Sequence, residues 1–261
     1  MDKNTHSIQS YLRQISDILL INGGFLDSPG LYTGEMGLVL FLSRYARFTQ
    51  NKIYSDYSSG LMEKIKNKIH QDTPVDYKKG LTGIGCAIEY LAQNGFLKTD
   101  TDDILNDFDK RIFYTYNLPY LPIDRIVDSG YYALWRMSGN SAQKDMIRQT
   151  ILPQIVHMIA EWCTNHHLKH PTVSFFWDII SSDNQDCSVI PLWHQLCSKD
   201  SPYCLKTKSY EPLLDNFLNT AGMNDLNLGF QNGLAGLGIS LLSELDGDDS
   251  WISLFPNDLI K

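Results

Sequence analysis

Apolar residues recur every three or four positions along much of the chain, which predicts amphipathic α-helices with one buried face. Four stretches show this spacing most clearly. Their apolar positions are Ile8, Leu12, Ile15, Leu19 and Leu20; Leu61, Ile65 and Ile69; Ile104, Leu105, Phe108 and Ile112; and Ile147, Ile151, Ile155 and Ile159. We predict that Thr101 is the N-cap of the third helix and that the fourth helix ends near His167.

Three further segments are apolar on nearly all sides, and each begins with a glycine. They are 37–45 (GLVLFLSRY), 83–92 (GIGCAIEYLA) and 236–245 (GLGISLLSEL). A helix of this composition is buried on most of its faces. Half-exposed helices therefore alternate with nearly buried ones, two per repeat. This alternation predicts an all-α fold in which a ring of outer helices covers a ring of inner helices.

A glycine followed three residues later by a small residue marks each repeat. The first glycines are Gly34, Gly80, Gly130 and Gly233, which lie 46, 50 and 103 residues apart. Because 103 is close to twice 50, we expect one further, diverged copy between the last two. A fixed period of about fifty residues indicates one supersecondary unit used repeatedly. We therefore predict that residues 1–261 form a single domain.

Each repeat glycine is predicted to open an inner helix. A residue without Cβ lets backbones approach closely where helices converge, so packing alone would explain the glycines. A helix start also presents free N–H groups, and several starts around one cavity would suit an anion or a peptide carbonyl. For a binding site of this kind, the candidate residues on the cavity rim are Tyr32, Thr33, Lys79, Asp128, Ser129, Gln231 and Asn232.

Charge and composition limit the classes of partner. The formal net charge is −8, which disfavours nucleic acid and anionic membranes because both need a basic surface. No apolar run is long enough for a membrane span, and the first residues lack the apolar core of a signal peptide. The five cysteines are an odd number without paired spacing. We therefore expect reduced thiols and a cytoplasmic location.

Several segments resemble the repeats of the lanthionine synthetase C-like (LanC-like) family. They are 31–37 (LYTGEMG), 80–85 (GLTGIG), 88–91 (IEYL), 94–96 (NGF) and 232–238 (NGLAGLG). The resemblance implies an α/α toroid, and since complete members have seven inner helices, we expect an incomplete one here. Cyclase members use zinc to hold a peptide cysteine thiolate while it adds to a dehydrated serine or threonine.

The resemblance also shows where the family's zinc ligands would lie. In the cyclases they come from a Trp-Cys pair and a Cys-His-Gly triplet just before inner helices. The pairs before the repeat glycines here are Tyr32-Thr33, Lys78-Lys79, Asp128-Ser129 and Gln231-Asn232, without Cys or His. Zinc activation of a thiol needs sulfur or imidazole ligands. We therefore expect no zinc and no catalytic residues, and we predict a peptide-binding accessory component of modified-peptide biosynthesis or a degenerate relative of the cyclases.

A zinc-dependent cyclase is the alternative function. Cys163 and His167 are four residues apart and would share one helical face. A second pair, His194 and Cys197, could complete a Cys₂His₂ site with them.

Two further functions also stay open. A sugar-cleaving enzyme would need two carboxylates on the rim, and Glu35 and Asp128 are the candidates. An interaction protein is the other possibility, because an incomplete ring would leave apolar helix faces for a peptide, a protein partner or a second copy of the chain.

Overall fold

The computed structural model describes residues 3–114, 121–167, 176 and 227–255. These residues form helices and turns and contain no β-strand, which confirms the all-α prediction. Whether the helices form a ring stays a prediction. The helices are α1 Lys3–Asn22, α2 Glu35–Thr49, α3 Lys52–Lys68, α4 Leu81–Gln93, α5 Thr101–Tyr114, α6 Ile123–Ser138, α7 Lys144–Met146, α8 Leu152–Asn165 and α9 Leu234–Asp246, with 3₁₀ turns at Gly23–Phe25 and Ser250–Leu254 and a π-helical turn at Ile147–Ile151.

The chain divides into two compact units, which we describe separately. The first unit comprises Met1–Asp72 and Pro202–Asp249, and the second comprises Thr73–Ser201 and Ser250–Lys261. That residues 1–261 form a single domain stays a prediction. Within the ranges given above, no helix is both long and apolar enough to cross a membrane.

In the first unit, α2 packs against both α3 and α9, and α9 also contacts α1. Eleven of the 15 residues of α2 are buried, as are nine of the 13 residues of α9. Four of the five predicted apolar positions on α1 are buried too, Ile8, Leu12, Ile15 and Leu19 at 4% exposure or less, while Leu20 is partly exposed. The prediction of half-exposed and nearly buried helices is therefore confirmed in this unit.

In the second unit, α4 lies against α5 and α6, and α6 also contacts α8. Eleven of the 13 residues of α4 are buried. Two details of the predicted helices are wrong. Ile104 is exposed, and Thr101 is the first residue of α5 rather than its N-cap, because the Asp100 carboxylate accepts the hydrogen bond from the Asp102 N–H. The end of α8 at Asn165 agrees with the predicted end near His167.

The prediction that Gly130 opens an inner helix is also wrong. α6 begins at Ile123, directly after Pro122, and Gly130 lies near its middle. A β-carbon on Gly130 would lie closer than 3.0 Å to the ring of Phe176 and 3.3 Å from Cγ2 of Ile155. The glycine therefore makes room for a neighbouring aromatic ring, a packing role that produces the same sequence pattern as a helix start.

One buried guanidinium joins three helices of the second unit. All five N–H donors of Arg136 on α6 are used. Nε and Nη2 donate to the two oxygens of Asp109 at 3.0 and 2.8 Å, Nη1 donates to Glu89 and Thr101, and Nη2 also donates to Asp102. Arg136 has no exposed surface, and Glu89 and Asp109 are almost wholly buried. α4, α5 and α6 are thus tied together by charge-assisted hydrogen bonds.

Removing this guanidinium should strongly destabilise the fold. Replacing Arg136 by Met leaves buried carboxylates without their counter-charge, and we expect a loss of about 3–5 kcal/mol in the free energy of unfolding, measured by urea denaturation. Lys110→Met is the matched control. It breaks an ion pair with Asp107 in which both partners are exposed, so we expect a loss of at most about 1 kcal/mol. Equal losses in the two variants would contradict this role for Arg136.

Candidate functional site

Three helix starts share one loop geometry. Gly34, Gly80 and Gly233 are the N-cap residues of α2, α4 and α9, and all three have extended backbones. In each case the first helical N–H donates to the carbonyl seven residues earlier. The bonds are Glu35 N to Ser28 O at 2.9 Å, Leu81 N to Pro74 O at 2.8 Å and Leu234 N to Asn227 O at 2.9 Å. Each loop therefore folds back over the start of its own helix and satisfies one of the helix's free donors.

Glycine is required at these starts because the loop occupies the space of a side chain. A β-carbon on Gly34 would lie closer than 3.0 Å to the carbonyl oxygen of Ser28. The same holds for Gly80 and the carbonyl oxygen of Pro74. A β-carbon on Gly233 would also lie closer than 3.0 Å to the carbonyl oxygens of Asn227 and Gly229. The first glycine of the repeat therefore accommodates its own loop, and not a neighbouring helix as the sequence interpretation proposed.

Close approach between helices occurs at a later glycine of the repeat. A β-carbon on Gly85 of α4 would lie 2.5 Å from the ring of Tyr132 on α6. In the first unit, a β-carbon on Gly238 of α9 would lie 2.6 Å from the ring of Phe41 on α2. The crowding that the sequence suggested is therefore present within each unit, but it arises at the fifth residue after the N-cap glycine.

Four of the predicted rim residues lie together in the first unit. The carbonyl oxygen of Tyr32 accepts hydrogen bonds from the backbone N–H groups of Phe230 and Gln231, both at 2.8 Å. This joins the loop before α2 to the loop before α9. Thr33 and Asn232 are exposed next to the joined backbones, whereas Tyr32 is buried. The exposed polar side chains at this junction are the candidate binding surface of the first unit.

The other three predicted rim residues lie in the second unit, in different settings. Lys79 is exposed on the loop before α4, and its N–H donates to the Asp76 carboxylate at 2.8 Å. Asp128 on α6 is half-buried and accepts a hydrogen bond at 2.9 Å from the N–H of Tyr77 on the same loop. Ser129 is buried inside α6, because α6 begins well before Gly130. It is therefore not on a loop, as the repeat pattern had suggested.

The Asp128 carboxyl has an unusually high pKa. Burial raises its pKa from 3.8 to about 7, and the nearby Asp76 and Asp124 act in the same direction. The Tyr77 N–H and Arg125 oppose the increase. Asp128 therefore changes charge near neutral pH.

A buried thiol lies close to the same loop. Cys86 on α4 is fully buried, and burial raises the pKa of its thiol well above the usual value, although a hydrogen bond with the Tyr77 side chain opposes this. The Tyr77 hydroxyl also donates to the carbonyl of Leu254 at 3.0 Å. The Cys86 thiol is thus held protonated, which is the state that neither binds a metal nor attacks an electrophile.

The structure contradicts part of the predicted alternative zinc site. Cys163 is buried near the end of α8, and His167 lies beyond that end with a left-handed φ of 54°. The prediction that Cys163 and His167 share one helical face is therefore wrong. His194 and Cys197 lie outside the described residues. In the part of the chain that is described, no group of three or more His, Cys, Asp or Glu residues is placed to hold a metal ion.

Glu35, a candidate for sugar cleavage, is committed to an internal ion-pair cluster. Its Oε1 is 2.6 Å from Nζ of Lys64 and 3.1 Å from Nζ of Lys68, and its side chain has no exposed surface. The two lysines also donate to the backbone carbonyls of Gly24, Leu26 and Asp27. This cluster ties the chain before α2 to α3. It leaves Glu35 closed to a substrate.

A comparison with known protein families matched one segment of the chain. Residues 26–115 match the family described as lanthionine synthetase C-like protein, which is 90 of the 261 residues. This segment is LanC-like. This LanC-like segment spans α2 to α5 and includes two of the three helix-start loops, those of Gly34 and Gly80. Comparisons with curated proteins and with solved structures gave no match.

The contribution of Asp76 and Tyr77 to the loop before α4 was not predicted, because the rim candidates were limited to the two residues directly before each repeat glycine. The buried side of the loop lies further back, where Asp76 accepts backbone hydrogen bonds and Tyr77 reaches Asp128. An acidic residue followed by an aromatic residue shortly before a repeat glycine was the available signal.

Substitution of a helix-start glycine tests the role of the loops. Gly80→Ala places a methyl group against the Pro74 carbonyl, so we expect a loss of about 1–3 kcal/mol in the free energy of unfolding, measured by urea denaturation. Gly60→Ala is the matched control, because Gly60 lies inside α3 with nothing within 4 Å of the added carbon. There, alanine should stabilise the protein by about 0.5–1 kcal/mol. A Gly80→Ala variant as stable as the wild type would contradict this account.

Proposed function

We propose that this LanC-like protein is a peptide-binding component of modified-peptide biosynthesis of the lanthipeptide type, and that it lacks cyclase activity of its own. The substrate class comes from the family. The accessory role is suggested by the chemistry of the residues around the helix starts.

One observation carries this proposal. The glycine loops keep a shared backbone geometry at three helix starts, yet the exposed side chains beside them are Thr33, Lys79 and Asn232 rather than Cys or His. Hydroxyl, ammonium and amide groups donate hydrogen bonds to peptide carbonyls. They do not form the thiolate and imidazole ligand set that activates a thiol through zinc.

The joined loops of the first unit are the preferred binding surface. Thr33 and Asn232 are both exposed there, and the hydrogen bonds from Phe230 and Gln231 to the carbonyl of Tyr32 fix the two loops relative to each other. A rigid backbone that presents polar side chains loses little conformational freedom on binding. An extended peptide segment could therefore bind with hydrogen bonds from both side chains.

A labelled peptide tests this surface. The probe is a fluorescein-labelled synthetic peptide with one cysteine and one dehydroalanine, and its binding is followed by fluorescence anisotropy. In Thr33→Ala/Asn232→Gly, two hydrogen bonds of about 0.5–1.5 kcal/mol each are lost, so we expect Kd to rise roughly tenfold. Glycine is chosen because Asn232 has a left-handed φ of 52°.

The matched control is Ser55→Ala/Ser59→Ala, which removes two exposed hydroxyls from α3 in the same unit. We expect this control to bind the peptide as the wild type does. If the wild-type protein does not bind the probe, or if both double variants weaken binding equally, the proposed surface is wrong.

Metal content separates the accessory role from the zinc cyclase. Protein produced in zinc-supplemented medium should contain far less than one zinc ion per chain, measured by inductively coupled plasma mass spectrometry. When this protein is incubated with the same peptide, the free-thiol content of the peptide should stay unchanged. Stoichiometric zinc that is lost in Cys163→Ala, together with loss of the peptide thiol, would contradict the accessory role and identify a cyclase.

A further inference from the structure

An asparagine followed directly by a glycine occurs three times in the chain. The pairs are Asn22-Gly23, Asn94-Gly95 and Asn232-Gly233. The side-chain amide of asparagine is thermolabile, most of all before glycine, because a residue without a side chain lets its backbone nitrogen approach the amide carbon. Since both reacting residues are the same in all three pairs, any difference in their reactivity comes from the fold.

Hydrogen bonds hold the first two pairs. The side-chain amide of Asn22 donates to the carbonyl four residues earlier at 2.9 Å, and its backbone is helical, with φ −106° and ψ −16°. The side-chain amide of Asn94 also donates to the carbonyl four residues earlier at 2.9 Å, and the N–H of Gly95 donates to the carbonyl of Ala92 at 3.0 Å. These bonds have to break before a glycine nitrogen can reach the side-chain carbon.

The third pair is not held in this way. Asn232 is exposed, and within the described ranges neither its side chain nor the N–H of Gly233 takes part in a hydrogen bond. The peptide group between them is restrained by one hydrogen bond, from Nδ2 of Asn227 to the Asn232 carbonyl at 3.1 Å. The fixed backbone contacts lie on either side, at Gln231 and Leu234. This peptide group can therefore turn while the loop around it stays in place.

The reaction needs water as its only co-reactant. The backbone nitrogen of Gly233 loses its proton and bonds to Cγ of Asn232, the bond from Cγ to Nδ2 breaks, and ammonia leaves with that proton. Water then opens the cyclic imide. Cleavage of the ring bond between Cγ and nitrogen gives aspartate. Cleavage of the bond between the main-chain carbonyl carbon and nitrogen gives isoaspartate, whose backbone is longer by one methylene group.

We propose that Asn232 is a site of spontaneous deamidation, and that isoaspartate at this position opens the loop before α9. An extra backbone atom directly before Gly233 displaces the Leu234 N–H from the Asn227 carbonyl, to which it donates at 2.9 Å. Both products also replace a neutral amide by a carboxylate on the candidate binding surface of the first unit. The inference does not depend on the proposed function, because deamidation is a property of the free protein.

Ageing of the full chain tests the site. The protein is incubated at pH 8 and digested, and the three Asn-Gly peptides are followed by mass spectrometry, because each deamidation adds about one mass unit. We expect Asn232 to convert roughly tenfold faster than Asn22 or Asn94, because fewer hydrogen bonds have to break there. In urea the three rates should become similar. Equal rates in the folded protein, faster conversion at Asn22 or Asn94, or no conversion at Asn232 would overturn the proposal.

Two variants and one exchange measurement complete the experiment. Asn232→Gly has no side-chain amide and suits the left-handed φ of 52°, so it should lose most of the ammonia release. Asn94→Ala is the matched control and should release ammonia as the wild type does. In the isoaspartate form, separated by anion exchange, the Leu234 amide should exchange with water at least about tenfold faster, while the Leu81 amide stays unchanged. An unchanged Leu234 amide would contradict the opening of the loop.

Discussion

One constraint is common to both units: at the N-cap of a buried helix, backbone carbonyls of the preceding loop occupy the space that a β-carbon would need, so the residue there is glycine. At Gly34, Gly80 and Gly233, the loop before the helix turns back so closely that any side chain would displace it. The same turn brings a carbonyl within hydrogen-bond distance of the first helical N–H. The helices α2, α4 and α9 therefore each begin with a closed loop of fixed shape. The polar side chains beside that loop, such as Thr33 and Asn232, can differ in chemistry without changing its geometry.

Much of the fold could be predicted from the spacing of apolar residues. The stripe on α1 follows from this spacing. The burial of α2, α4 and α9 follows from their composition, because a helix that is apolar all round has to be covered. The glycine pattern was a less reliable indicator of where helices begin. The pattern at Gly130 matches the other copies, but Pro122 sets the start of α6, and Gly130 instead makes room for Phe176.

The polar contacts between elements could not be predicted, because they join residues far apart in sequence. Tyr77 and Asp128 are separated by 51 positions, and Arg136 bonds to carboxylates on two other helices. A charged residue inside a buried helix needs buried partners, and no such role was predicted for Arg136. Nothing in the sequence identified which acids they are. The candidate site was predicted in part, since Tyr32, Thr33, Gln231 and Asn232 do lie together, while Ser129 is inside a helix.

The LanC-like segment thus supplies a scaffold whose helix starts are fixed by backbone geometry, with exposed polar groups beside them. The most direct test is measurement of scalar couplings across hydrogen bonds by NMR. Couplings should be seen from the amide nitrogens of Glu35, Leu81 and Leu234 to the carbonyl carbons of Ser28, Pro74 and Asn227, the same spacing of seven residues each time. Coupling of these amides to other carbonyls, or their rapid exchange with water, would contradict the shared closed loop.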